Sequence, residues 1–168
     1  MSFHEPIPET METIAAIASV ASSCTTLGEL RAVLERVPAS ILALSDRMVF
    51  KASSYSRLVL VEDKAVSVRL LGWLPGQVSE IHDHGGSMCA LRVLQGIATE
   101  SGFELDGCGN AVLLGTESYL TGSVLGCDGN AIHAMGNDAA AIDPLVTLHV
   151  YRPAPVMRAY QLADEVHA

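Results

Sequence analysis

Apolar positions in the first fifty residues recur with the period of a helix, and beyond Tyr55 the texture changes to short β-rich runs. Leu27, Leu30, Leu34 and Val37 share one helical face, and Pro38 closes the segment. The "TLGE" stretch at Thr26–Glu29 has the form of a capping box, with Thr26 as N-cap and Glu29 reaching back. An earlier helix is expected near residues 9–22 and a short one over 39–46. The run "RLVLVEDKAVSVRLLGW" reads as two strands joined in a hairpin at Asp63-Lys64. "LRVLQGIATESGFEL", the turn "DGCGN" and "AVLLGTESYL" follow; a second turn, "CDGN", leads to "AIHAMGN", and "LVTLHVYRP" is the last clear strand. Regularly spaced strands with Gly, Asp and Asn turns predict an all-β sandwich or barrel. One domain over 1–168 is expected, with a helical segment over 1–50 and the barrel over 55–155.

Composition narrows the picture. At 168 residues the chain is long enough to bury a real core. A formal net charge of -9 with no basic run disfavours a grip on phosphate backbones or anionic lipid. No segment is apolar for long enough to span a bilayer. Glu5, Glu9 and Glu12 stand where a signal peptide would carry Lys or Arg. The cysteines, Cys24, Cys89, Cys108 and Cys127, form no CxxC pair, so reduced thiols in a cytoplasm are expected. "GCGNAVLLG" lacks the spacing of a dinucleotide fingerprint and reads as a hairpin turn.

The candidate chemistry lies in "IHDHGGSMCALRVLQG", Ile81 to Gly96. Residues two apart on a strand point to one side, so His82 and His84 sit close enough to share a metal while Asp83 points away. His133 and His149 occupy apolar strands, where aliphatic residues are the usual occupants. A closed barrel would bring these four imidazoles together. His4 and His167 lie in the tails and are expected to be solvated.

In combination these motifs resemble the cysteine dioxygenases, thiol dioxygenases of the cupin superfamily. The resemblance runs from about Tyr55 to Pro155. "YSR" at Tyr55–Arg57 resembles the family's Tyr-x-Arg. "WLPGQVSEIHDHGGSMCALRVLQG" resembles its first cupin motif, "IHAMGN" its second, and "TLHVYRP" its Ser-x-His-x-Tyr-Ser-Pro segment. The resemblance implies a cupin barrel, the double-stranded β-helix or jelly roll, behind a helical N-terminal cap. It implies Fe(II) held by His82, His84 and His133, with a small thiol substrate held at Arg57 and Tyr55 and oxidised by O2. Thr147, His149 and Tyr151 would form a relay, and Cys89 would be placed for a thioether with Tyr151. Thr147 stands where the family has Ser, and keeps the hydroxyl. Arg152 precedes Pro153 where the family has Ser before a cis-proline. Arg57 favours an amino-acid thiol, since related 3-mercaptopropionate dioxygenases carry Gln there.

The chemistry gives these residue types a reason. Three neutral imidazoles leave a divalent ion its full charge, which suits a substrate arriving as thiolate. Arg57 can grip a carboxylate with two parallel hydrogen bonds. Sulfur supplies all the electrons for the sulfinic acid, so no flavin or nicotinamide is required. L-Cysteine is the first expected substrate. 3-Mercaptopropionate and mercaptosuccinate are the runners-up, with Arg152 or Arg158 meeting a second carboxylate in mercaptosuccinate. A zinc cupin and a non-catalytic binding cupin are the other readings. Homo-oligomers are possible, and no nucleic-acid or membrane partner is expected. Cys89 lies an odd number of residues beyond His84, so strict alternation turns it away from the metal. A bulge at Gly85-Gly86 would reset that parity, and glycine there would let the backbone pass near the metal. Cys24, Cys108 and Cys127 carry no expected chemistry, and Trp73 is expected to pack at a strand end.

Overall fold

The computed structural model of the chain describes residues 8–163. His4 and His167 fall outside them. Helix α1 (Pro8–Ala21) and helix α2 (Leu27–Glu35) precede a 3-10 helix over Ala39–Arg47. The capping box forms as the sequence predicts: the Thr26 side chain accepts from the Glu29 amide and the Glu29 carboxylate accepts from the Thr26 amide. The third helical segment differs from expectation only in being 3-10.

Among the described residues ten strands follow: β1 (Ser56–Glu62), β2 (Ser67–Trp73), β3 (Ile81–Asp83), β4 (Met88–Gln95), β5 (Ile97–Leu105), β6 (Ala111–Leu120), β7 (Val124–Cys127), β8 (Ile132–Asn137), β9 (Leu145–Arg152) and β10 (Arg158–Tyr160). They build two antiparallel five-stranded sheets, one in the order β1-β2-β9-β4-β7 and the other β10-β3-β8-β5-β6. The Asp63-Lys64 hairpin is present, its Asp63 carboxylate accepting from the amides of Ala65 and Val66.

Two apolar cores lie on either side of the first sheet. Ile14, Ile17, Leu30, Leu34, Ile41 and Leu44 from the helical segment cover its outer face, against Val68, Leu70, Val146, Leu148 and Val150. Leu71, Trp73, Leu91, Val93, Met135 and Leu145 fill the space between the sheets. β2 is therefore buried along its whole length. Such double burial explains why β2 and β9 read as near-continuous apolar runs. Arg92 fastens the cap by donating from Nη1 to the Leu34 and Val37 carbonyls at the end of α2. Among the described residues no helix is long and apolar enough to cross a membrane.

Candidate functional site

The second sheet carries the three histidines. His82 on β3 lies directly opposite His133 on β8 in the antiparallel register. His84 follows β3 by one residue. Its ring centroid is 5.2 Å from that of His82 and 4.9 Å from that of His133. The potential ligand atoms of the three lie within 4.8 Å of one another.

Local contacts fix which nitrogens face the shared point. His82 Nδ1 donates to the Glu80 carbonyl at 2.8 Å, and His133 Nδ1 donates to Glu100 Oε1 at 2.7 Å. A proton held at Nδ1 leaves the Nε2 lone pair facing inward. His84 Nε2 stands 3.3 Å from His133 Nε2. Two ring nitrogens at that distance call for a shared proton or a shared cation, and bonds of about 2.1 Å to one ion fit the spacing. His84 Nδ1 is buried without a partner, so this ring has no polar contact besides its facing histidine. Burial holds His82 below its ordinary pKa, and burial with the neighbouring rings of His133 and His82 brings His84 down to about 3. At pH 7 the neutral His82 and His84 rings bind a cation without first releasing a proton. The donor set thus fits a divalent metal.

The glycines work differently from the expected bulge. Gly85 and Gly86, at φ +60 and +90, turn the chain out of β3 in one sheet and into β4 in the other. The parity reset comes from this change of sheet. The close backbone approach that needs glycine is to the Val156 carbonyl, which a Cβ at Gly85 would strike. The amides of His84 and Gly86 both donate to the Gly129 carbonyl, tying this turn to the one before β8. Asp83 points away from the rings, as expected, yet it is buried; it accepts from Gly85 N, Tyr160 OH and Arg158 Nη2.

The first sheet supplies the facing wall. Thr147, His149 and Tyr151 alternate along β9 and share its inward face. Trp73 Nε1 donates to Thr147 Oγ1 at 3.2 Å. An indole only donates, and among the described residues the buried Thr147 hydroxyl has no acceptor besides His149 Nε2, at 2.8 Å. The Thr147 proton therefore goes to Nε2. His149 then carries its own proton on Nδ1 and donates to the Tyr151 oxygen at 3.2 Å. That leaves the Tyr151 O–H to donate to a group other than His149, and the Cys89 thiol is in hydrogen-bond reach of it. Burial and the neighbouring His84 ring keep His149 well below its ordinary pKa, so the chain stays neutral. Burial, then Cys89, pushes the Tyr151 phenol up, while Arg69 and Arg57 oppose the rise.

A narrow cavity between the walls is lined by His82, His84, His133, His149, Tyr151 and Arg57, with Tyr55, Leu71, Trp73 and Met157 around them. Arg57 is exposed at its mouth and donates from Nη2 to the Tyr55 hydroxyl at 2.8 Å. Tyr55 in turn stacks on Trp73 with ring centroids 4.2 Å apart. Trp73 thus does more than pack: it anchors both Tyr55 and the Thr147 end of the relay. Cys89 is fully buried opposite Tyr151 in the β4–β9 register, with its Sγ 4.0 Å from His149 Nδ1. Burial, then Cys127, raises its thiol pKa well above the ordinary value. Cys127, expected to be inert, lies opposite Cys89 on β7 and joins it and Tyr151 in one buried cluster.

The residues fall into the family that the motifs resemble. A family model for cysteine dioxygenase type I matches residues 45–162. The chain belongs to the cysteine dioxygenase type I family. Solved structures agree on the fold. A protein with a double-stranded β-helix domain from Klebsiella pneumoniae is 15% identical at a TM-score of 0.55, over 70% of this chain and 94% of that one. The TT1209 protein from Thermus thermophilus is 22% identical at 0.51, over 66% and 93%. A cupin superfamily protein from Desulfitobacterium hafniense is 15% identical at 0.50, over 65% and 86%. At these identities the likeness shows the cupin fold alone. Within it, a cysteine dioxygenase-type chain presents a three-histidine cluster able to hold a metal.

Two expectations need correction. Arg152 donates from Nε to the Ser22 carbonyl, and Arg158 pairs with Asp83; neither lines the cavity. Neither is placed to meet a second substrate carboxylate, because each is drawn to a partner outside the cavity. Two residues went unnoticed in the sequence. Glu100 orients His133 from β5. Arg69 lines the cavity from β2, with its guanidinium 5.2 Å from the Tyr151 ring centroid. The available signal for Arg69 was parity, since "SVRLLGW" places it on one face with Ser67, Leu71 and Trp73.

Proposed function

We propose that this cysteine dioxygenase family member is an iron-dependent thiol dioxygenase that converts L-cysteine to cysteine sulfinic acid. One observation carries the reading. Three imidazoles face, across a single narrow cavity, a hydroxyl relay ending in Tyr151 and the guanidinium of Arg57. The reaction balances with two reactants: O2 accepts four electrons, the thiol sulfur gives four, and both oxygen atoms end on sulfur.

His82, His84 and His133 would hold Fe(II), which supplies O2 binding and acidifies the thiol. Zinc has no redox chemistry, so the oxidation itself favours iron. Arg57 receives the substrate carboxylate, with its guanidinium braced by Tyr55. Tyr151 presents its phenol to the cavity, held in aim by His149 and Thr147, with Cys89 in hydrogen-bond reach beside it. Leu71, Met135 and Met157 line the same space with apolar surface and keep water out. The adjacency of Cys89 and Tyr151 favours a thioether between them, with O2 taking up the two electrons and two protons lost; an intact mass lower by about 2 Da would report the lost hydrogens.

The test is oxygen uptake by Fe(II)-loaded and zinc-loaded protein with a panel of thiols. Uptake with L-cysteine that requires Fe(II) and yields sulfinate is the expected result. A kcat/KM for cysteine far below that for 3-mercaptopropionate would replace the substrate. Turnover by the zinc form would replace the reaction.

A further inference from the structure

Arg69 is 8% exposed and lines the cavity beside the histidines. Three hydrogen bonds hold one edge of its guanidinium: Nε donates to Ser67 Oγ at 2.9 Å, and Nη2 donates to Glu62 Oε2 at 3.2 Å and Oε1 at 3.3 Å. Nη1 has no hydrogen-bond partner among the described residues. The side chain of Glu62 is 45% exposed and that of Arg69 only 10%, so water screens the anion more than the cation. The lining contains two guanidiniums and, among the described residues, no carboxylate.

The register relates the two arginines. Arg57 lies opposite Leu71, and Val59 opposite Arg69, so all four share the inward face. Arg57 and Arg69 are therefore diagonal neighbours across β1 and β2, with backbones about 7–8 Å apart. Arg57 stands at the mouth and Arg69 deeper in.

We propose that Arg69 is a second carboxylate-binding group, and that the cavity accepts small thiols carrying two carboxylates, one on Arg57 and one on Arg69. This rests on the thiol dioxygenase reading and widens its substrate class. A bidentate guanidinium contact suits a planar carboxylate.

The experiment compares mercaptosuccinate with L-cysteine and 3-mercaptopropionate on wild type, Arg69→Met and Glu62→Gln, all iron-loaded and matched for metal content. Arg69→Met should lower the ratio of kcat/KM for mercaptosuccinate to that for each monocarboxylate about tenfold or more, whatever common loss it causes by leaving the Tyr151 ring. Glu62→Gln frees Arg69 without removing it and should preserve or raise the preference for mercaptosuccinate. A readout without turnover accompanies these: succinate should raise the Tm of wild-type protein more than propionate does, and this difference should vanish in Arg69→Met. If Arg69→Met folds poorly, Arg69→Lys keeps the cation but loses the fork and should fall between the other two. Equal losses on all three thiols would make Arg69 a strut and overturn the proposal. So would cysteine turnover without any mercaptosuccinate turnover. If no thiol is oxidised, the dioxygenase reading fails, and the succinate shift alone decides whether Arg69 binds a second carboxylate.

Discussion

On one wall of the barrel the working groups are ring nitrogens converging on a point; on the other they are cations, hydroxyls and a thiol spread over four neighbouring strands. The histidine wall is thinly built. β3 is three residues long, and β10, the Asp83 contacts and the Gly129 carbonyl hold it in place. The relay wall is buried on both faces, with the helical cap behind it. The contrast teaches a division of labour. Ligand geometry depends on a few directed contacts to each ring, whereas the relay depends on a rigid sheet that fixes the spacing of Trp73, Thr147, His149 and Tyr151.

Substitutions on the two walls should therefore separate metal loading from turnover. The largest effect belongs to His133→Ala. Even groups that merely orient a ligand cost about 10–100-fold, so loss of a ligand should weaken metal binding by more than about 100-fold. Metal analysis after dialysis against a weak chelator reads this. His149→Ala, on the opposite wall, should lower turnover about 10–100-fold while iron content stays at the wild-type level. Loss of iron in that variant would break the division.

Glu100→Gln sharpens the comparison from the histidine side. The amide still accepts from His133 Nδ1 but loses the charge, so metal affinity should fall about tenfold, read by competition with a chromophoric chelator. Trp73→Phe sharpens it from the relay side with the smallest effect. One neutral hydrogen bond is worth about 1 kcal/mol, so kcat should fall about fivefold with metal content unchanged.

The same contrast explains what the sequence makes legible. The capping box, the Asp63-Lys64 hairpin and the turn residues are local, and each forms where its pattern places it. His82 and His84 announce themselves by spacing, and the strands bearing His133, His149 and Tyr151 match motifs of the cysteine dioxygenases. Arg69 and Glu100 were not found, because a charge on a strand ordinarily faces water and only the closed barrel shows that these two face inward. Gly85 and Gly86 were marked correctly as a place where alternation breaks. A change of sheet, though, is a tertiary event that local pattern does not distinguish from a bulge. Arg152 and Arg158 misled for the complementary reason: their partners, Ser22 and Asp83, are remote in sequence.

The most direct test of the central claim, that the two walls together add O2 to a thiol, is the isotopic composition of the product formed under 18O2 in ordinary water. Iron-loaded protein turning over L-cysteine should give a sulfinate with both oxygen atoms labelled. A product whose oxygen comes from water, or turnover that continues when O2 is removed, would contradict it.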